Sequence, residues 1–183
     1  MMANQIILLL GGARSGKSHY AQQLAMELGN KVLFVATGEA LDEEMQARIA
    51  EHKKDRPQNW RTLELPTGIG RGIEKGIGDA EVVVIDCLTL LVSNLLHNKP
   101  EYPEAEKRVT SEINAIISTM DRLDASFVIV SNEVGMGLVP ETKLGRVYRD
   151  LLGKANQLVA NHATEVYLMV ACLPVQVKGR SRH

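Results

Sequence analysis

The 183-residue sequence predicts a single α/β domain, a mostly parallel β-sheet flanked by helices. Three observations predict it. Short unbroken apolar runs, such as Ile6-Ile7-Leu8-Leu9-Leu10 and Val82-Val83-Val84-Ile85, have the length of strands buried on both faces. Stretches with apolar residues at helical spacing alternate with these runs, as right-handed β-α-β units require. The first run also ends in a glycine-rich turn, residues 11–18, directly before a helix.

Taken in order, residues 5–10 form the first strand. Residues 17–29 follow as a helix with Tyr20, Leu24 and Leu28 on one face and Gly29 as its stop. Residues 32–36 are a second strand. Leu41, Met45, Ile49 and His52 share a face of a further helix that must end before Pro57. Residues 61–65 read as a short extended piece, and residues 67–79, with five glycines, read poorly as helix. Residues 81–86 are a buried strand ending in a carboxylate, and a helix follows over 88–97. Residues 98–103 are a loop with two prolines. A helix over 104–123 carries Val109, Ile113, Ile116 and Ile117 as its stripe. Residues 126–131 are a strand, 132–140 a loop, 142–162 a long amphipathic helix, 165–171 a core strand and 174–178 an edge strand. The basic tail from Lys178 is expected to fray. No internal repeat or low-complexity tract interrupts residues 1–183, so one domain is expected throughout.

Composition limits the function. At 45% hydrophobic and 23% charged residues the chain is neither disordered nor short of core. Lys plus Arg is 21 against 22 Asp plus Glu, a net charge of −1, which lacks the basic footprint of a dedicated nucleic-acid binder. Aromatic residues, 4%, are too few for base-stacking platforms. Cys87 and Cys172 each sit in an apolar run and are expected to be buried thiols, which suits a reducing, cytoplasmic location. No apolar run reaches the ~18 residues of a membrane span. The N-terminus lacks a basic leader and is read as the approach to a strand rather than a signal peptide.

Gly11-Gly12-Ala13-Arg14-Ser15-Gly16-Lys17-Ser18 matches the phosphate-loop pattern G-x-x-x-x-G-K-[ST] in the right context, after a buried strand and before a helix. Glycines let successive backbone N–H groups face one anion, and the helix adds the positive end of its dipole. Lys17 is expected to reach the β- and γ-phosphates, and Ser18 to place its hydroxyl on Mg²⁺. The second metal-side group is a carboxylate at the end of a neighbouring buried strand, and Asp86 fits. A helix N-cap is the alternative role for Asp86.

The segment Ala47-Arg48-Ile49-Ala50-Glu51-His52-Lys53-Lys54-Asp55-Arg56-Pro57 places a histidine beside three cations. Neighbouring cations keep an imidazole neutral, and neutral imidazole is a nucleophile for phosphorus. Lys53, Lys54 and Arg56 could clamp a triphosphate. By spacing alone, His52 reads more readily as a residue near a helix C-terminus that favours the dipole. His19, His97, His162 and His183 read as structural or surface residues.

Together the phosphate loop, Val35-Ala36-Thr37-Gly38, residues 47–57 with Trp60-Arg61-Thr62, and Ser131-Asn132-Glu133-Val134-Gly135-Met136-Gly137-Leu138-Val139-Pro140 resemble a bifunctional kinase and guanylyltransferase family. That family is the adenosylcobinamide kinase / adenosylcobinamide-phosphate guanylyltransferase of cobalamin biosynthesis, and the likeness runs over nearly the whole chain. It implies a P-loop domain that phosphorylates adenosylcobinamide with a nucleoside triphosphate, ATP or GTP. The same domain then transfers GMP from GTP to adenosylcobinamide phosphate through a GMP–histidine adduct at His52. It further implies nucleotide contacts from Gly11 to Ser18, from Thr37, Gly38 and Glu39, from Lys53, Lys54, Asp55 and Arg56, and from Glu64 and Asp86. A homotrimer is implied as well. The family can carry Glu at position 86 and a second His at position 51; here Asp86 has the shorter arm and Glu51 removes a rival nucleophile. Two other readings stand beside this one. A plain P-loop kinase leaves His52 without a task, and a GTP-binding sensor module would use its long helices as a partner surface. The Asn132–Pro140 loop is expected on the substrate side.

Overall fold

The structure is a computed structural model that describes residues 4–39, 56–98 and 101–179. Its elements are β1 (Ile6–Gly11), α1 (Lys17–Leu28), β2 (Val32–Ala36), β3 (Arg61–Glu64), α2 (Ile69–Gly76), β4 (Val82–Asp86), α3 (Leu88–Leu95), α4 (Tyr102–Arg122), β5 (Ser126–Asn132), α5 (Lys143–His162), β6 (Glu165–Val170) and β7 (Leu173–Lys178). The helix expected over residues 41–52 lies outside the described residues. The strands form one sheet in the order β3-β2-β4-β5-β1-β6-β7. All neighbours pair in parallel except β7, which is antiparallel to β6. The predicted α/β class, a mostly parallel sheet with helices against it, is what forms.

Strand alternation sorts the core into two layers. Ile7 and Leu9 of β1, Val82 and Val84 of β4, and Val128 and Val130 of β5 face α1, where Ala21 and Ala25 are buried. Leu8, Val83, Ile85, Phe127 and Ile129 face the opposite layer, closed by Ile69 and Ile73 of α2, Leu88 and Leu91 of α3, Ile113 and Ile116 of α4, and Leu151 and Leu152 of α5. These strands therefore have no polar face, which is why their sequences run apolar without alternation.

Three elements depart from the sequence reading. Residues 69–76 are helical despite their glycines. Burying Ile69 and Ile73 contributes roughly 1.5–3 kcal/mol each, more than the ~1 kcal/mol that each interior glycine costs. Gly70 also permits the close crossing of α2 and α4, because a Cβ there would lie 2.8 Å from the Ala115 carbonyl oxygen. Secondly, α4 starts at Tyr102, with Pro103 in the first turn, where its missing N–H costs nothing. Thirdly, Cys172 is exposed rather than buried. Ala171 and Cys172 have φ values of 49° and 67° and form the two-residue turn joining β6 to β7, so the apolar run is broken there by a hairpin.

The sheet order also corrects the expected neighbourhood of Asp86. β5 lies between β1 and β4, so the carboxylate sits two strands from the phosphate-loop strand.

Three outcomes are expected. Gly70→Ala should lower the urea midpoint, because separating two packed helices costs roughly 1–3 kcal/mol and exceeds the ~1 kcal/mol gained in helix propensity. Gly153→Ala in α5, where a Cβ would meet nothing within 4 Å, should raise it. The native protein should also take up one equivalent of a disulfide reagent, at Cys172, and the second only after unfolding. Burial and the adjacent Asp86 carboxylate push the Cys87 thiol up to about 12 and keep it unreactive.

Candidate nucleotide-binding site

The carboxyl ends of β3, β2, β4, β5 and β1 share one edge of the sheet, where open α/β sheets place their ligands. Glu64 ends β3, Thr37-Gly38-Glu39 follow β2, Asp86 ends β4 and the phosphate loop leaves β1. The sheet thus gathers on one edge residues that lie up to 75 positions apart in the chain (Gly11 to Asp86).

The loop is shaped by its glycines. Gly11 has a φ of 157°, and a Cβ there would fall 2.6 Å from Ser15 Oγ. Gly16 has a φ of 89°, and its Cβ would meet Cys172 Sγ at 2.9 Å. The Cys172 N–H donates to the Ser15 carbonyl at 3.0 Å, so the β6–β7 turn braces the loop from behind. Gly12, by contrast, faces open space, and Ala13 and Arg14 are exposed. Gly16 caps α1, no side chain caps that terminus, and the first turn holds no acidic residue. Its N–H groups and dipole are therefore available to an anion.

Lys17 is 7% exposed and folds across its own loop, donating from Nζ to the Gly12 carbonyl at 2.5 Å and to Ser15 Oγ at 3.3 Å. Burial lowers its pKa, and the Asp86 carboxylate opposes that shift. Ser18, half-buried, sits in the first turn of α1. Alternation along β4 puts the Asp86 side chain on the α1 face, toward Lys17. Asp86 does not cap the next helix; Cys87 holds that position.

Arg56 lies over the Phe34 ring, 3.8 Å from its centroid, while Trp60 stacks on the same ring with centroids 6.3 Å apart. Burial lowers the Arg56 pKa against the opposing charges of Asp86 and Glu64, and its Nε is buried without a hydrogen-bond partner among the described residues. A half-buried guanidinium left partly unsatisfied favours an anion beside it.

Thr37 is tied to the end of β4. It is fully buried, its hydroxyl donates to the Cys87 carbonyl at 2.7 Å and accepts from the Cys87 N–H at 2.8 Å, and its own N–H donates to the Asp86 carbonyl at 3.1 Å. That hydroxyl is committed to holding the end of β4, which leaves Gly38 and the exposed Glu39 to face outward. His52, Lys53, Lys54 and Asp55 lie outside the described residues. Of the other histidines, His19 and His97 are exposed, and His162 sits 2.9 Å from Asp121, far from the loop in sequence and on the α4–α5 side.

A buried polar group at the end of β5 was not legible as part of this edge. Ser131 Oγ donates to Asn156 Oδ1 at 2.6 Å, Asn156 Nδ2 donates to the Asn132 carbonyl at 3.0 Å, and the Asn132 N–H donates to Thr89 Oγ1 at 2.8 Å. Tyr148, whose hydroxyl burial pushes up to about 12, donates to the Thr89 carbonyl at 3.3 Å. In the sequence this network shows as two polar residues, Ser131 and Asn132, at the head of the Ser131–Pro140 segment and one Asn on the buried face of α5.

A hydroxyl from Ser18 and a carboxylate from Asp86 are hard oxygen donors suited to Mg²⁺. Among the described residues no three His, Cys, Asp or Glu side chains converge into an all-protein cage. One or two protein ligands completed by phosphate oxygens is the usual arrangement for Mg²⁺ at a nucleotide.

Comparison with known proteins places this geometry. A solved RadB recombinase shares the fold, with a TM-score of 0.54 at 16% identity, covering 98% of this chain and 83% of that one. The bifunctional adenosylcobalamin biosynthesis proteins CobU of Escherichia coli (strain K12) and CobU of Salmonella typhimurium (strain LT2) are each 41% identical over 181 residues, covering 94% of this chain and 99% of theirs. CobP of Pseudomonas aeruginosa is 40% identical over 172 residues, covering 94% of this chain and 96% of its own. The family model described as cobinamide kinase / cobinamide phosphate guanyltransferase matches residues 7–177, nearly the whole chain with its phosphate loop, Asp86 and the Ser131–Pro140 segment, and the chain belongs to that family.

Proposed function

We propose that the protein phosphorylates the aminopropanol hydroxyl of adenosylcobinamide with ATP or GTP and then transfers GMP from GTP to the resulting phosphate. The observation that carries this is the convergence of Lys17, Ser18 and Asp86 on the uncapped N-terminus of α1, an arrangement suited to a triphosphate and Mg²⁺. Mg²⁺ held by Ser18 and Asp86 would supply charge neutralisation on the phosphate oxygens. Gly11 to Ser18 supply backbone donors to the phosphates, with Gly12 leaving room for their approach. Arg56, Glu64, Gly38 and Glu39 line the other end of the same edge and suit the nucleoside and its α-phosphate.

In the first step the substrate hydroxyl oxygen bonds to the γ-phosphorus, the bond to the β-bridging oxygen breaks and the nucleoside diphosphate leaves. In the second, a neutral His52 nitrogen bonds to the α-phosphorus of GTP and pyrophosphate leaves. An oxygen of adenosylcobinamide phosphate then attacks the same phosphorus, the N–P bond breaks and adenosylcobinamide-GDP forms. Support for His52 comes from its cationic flank, Lys53, Lys54 and Arg56, which disfavours the imidazolium.

The reading includes a cytoplasmic homotrimer. No helix among the described residues is long and apolar enough to cross a membrane. Leu173, Val175 and Val177 of β7 are exposed by 50–68%, an apolar edge beside the turn that braces the phosphate loop, so a second copy seated there would border the nucleotide site.

Incubation with GTP labelled on its α-phosphate should leave an acid-labile label on the wild-type protein. His52→Ala should lose that label and all guanylyl transfer while still phosphorylating adenosylcobinamide; guanylyl transfer retained in this variant overturns the assignment. Lys17→Ala should lower both activities by about 10²-fold or more, the scale of losing one preorganised charge on a transferring phosphoryl group.

A further inference from the structure

We propose that Asn94 is a positioning residue for the nucleoside of the bound nucleotide: its side-chain amide fixes the two loops between which that nucleoside lies. This rests on the nucleotide reading above, which seats the nucleoside among Gly38, Glu39 and Glu64.

The sheet alone holds these loops weakly. β3 has four residues and stands at the end of the strand order, beside β2. Its last residue, Glu64, pairs with Ala36, and the Leu65 N–H then donates to the Ala36 carbonyl at 2.9 Å. Pro66, next, has no N–H to extend the ladder. On the other strand the chain runs on to Thr37, Gly38 and Glu39. The end of so short an edge strand opens at low cost, so the ladder does not by itself set the distance between the two loops.

Asn94 supplies the missing tie. α3 leaves the end of β4 with Leu88, Leu91 and Val92 buried in the core, and it carries Asn94 in its last turn. Asn94 Nδ2 donates to the Thr37 carbonyl at 2.8 Å and to the Pro66 carbonyl at 3.0 Å. Both acceptors are carbonyls, so the amide must present its NH₂, whose two N–H groups leave a planar nitrogen in fixed directions. One nitrogen thus holds both loop ends against a helix rooted in the core. Thr37 has little freedom to shift in response, because its N–H donates to the Asp86 carbonyl and its hydroxyl is bonded to the Cys87 peptide. Gly38 follows Thr37 and Glu64 lies two residues before Pro66, so the space between them inherits the geometry of this amide.

The residue type fits the task. Asparagine is a poorer helix former than alanine or leucine, yet it stands half-buried in a helix otherwise rich in leucine and valine. An apolar residue in its place would take a donor from two carbonyls at once. The contact is also remote from the phosphate machinery, since β4 and β5 separate β2 and β3 from β1. Lys17 and the α1 N-terminus hold the phosphates without it. Asn94 therefore acts on the nucleoside end alone, by ordering its loops before the ligand arrives.

The test uses the full-length protein with Mg²⁺ and two probes, GTP and inorganic tripolyphosphate, the second offering phosphates without a nucleoside. Calorimetry should show that Asn94→Ala weakens GTP by about tenfold, because loops fixed beforehand must now be ordered on binding, and changes tripolyphosphate by less than about twofold. Asn94→Asp has the same shape but no N–H, and it sets a carboxylate against two carbonyl oxygens, so it should weaken GTP at least as far. Unchanged tripolyphosphate affinity reports a folded phosphate loop. A wild-type ratio of GTP to tripolyphosphate affinity in either variant overturns the proposal. So does loss of both affinities by the same factor, the result of a purely structural role. A wild-type protein that binds GTP no more tightly than tripolyphosphate overturns the nucleoside placement and the proposal with it. If wild type prefers GTP and the variants lose that preference, the proposal stands; failure of that wild type to phosphorylate adenosylcobinamide would sink the kinase reading alone.

Discussion

The register of three adjacent parallel strands governs this edge of the molecule. β1, β5 and β4 are locked residue by residue, Gly11 against Asn132 and Val130 against Asp86. Each strand is buried on both faces, so a slip by one residue would turn a full row of apolar side chains to the wrong layer. The spacing between the lysine-bearing loop and the carboxylate is therefore set by the packing of Ile7, Leu9, Val82, Val84, Val128 and Val130, all of them buried core residues. The hydrophobic core and the phosphate site are one constraint seen from two sides.

Around that frame, the functional backbone is held by hydrogen bonds from residues with no chemistry of their own. Thr37 fixes the end of β4, Thr89 and Asn156 fix the end of β5, and the Cys172 turn supports the loop after β1. Among the described residues, the Asp86 carboxylate acts on both Lys17 and the half-buried Arg56, and Glu64 acts on Arg56. Burial lowers the pKa of both cations because it disfavours their charged forms. An anion seated beside them would relieve that cost.

Much of this was legible along the chain. The strand–loop–helix context of Gly11 to Ser18, the carboxylate closing an apolar run at Asp86 and the alternation of elements each follow from local sequence. What was not legible depended on distant partners. Residues 69–76 form a helix because Ile69 and Ile73 are buried and Gly70 lets α2 cross close to Ala115 of α4, and no local pattern announces a partner 45 positions away. Cys172 looked buried because apolar neighbours surround it in sequence, whereas a two-residue turn carries it to the surface beside Gly16. The Thr37 hydroxyl bonds to the Cys87 peptide, 50 positions away, and no local pattern announces that partner.

By itself the sequence determined which residue types could meet a nucleotide: a glycine loop able to turn its N–H groups inward, a lysine, a hydroxyl and a strand-end carboxylate. These are properties of short segments, because backbone freedom and hydrogen-bonding capacity belong to individual residues. Only the tertiary structure decided their arrangement. It inserted β5 between the loop and Asp86, brought Asn132 into the gap and set the β6–β7 turn behind Gly16. Strand order is chosen by which faces bury each other best, and that choice is made by the whole core rather than by any one segment.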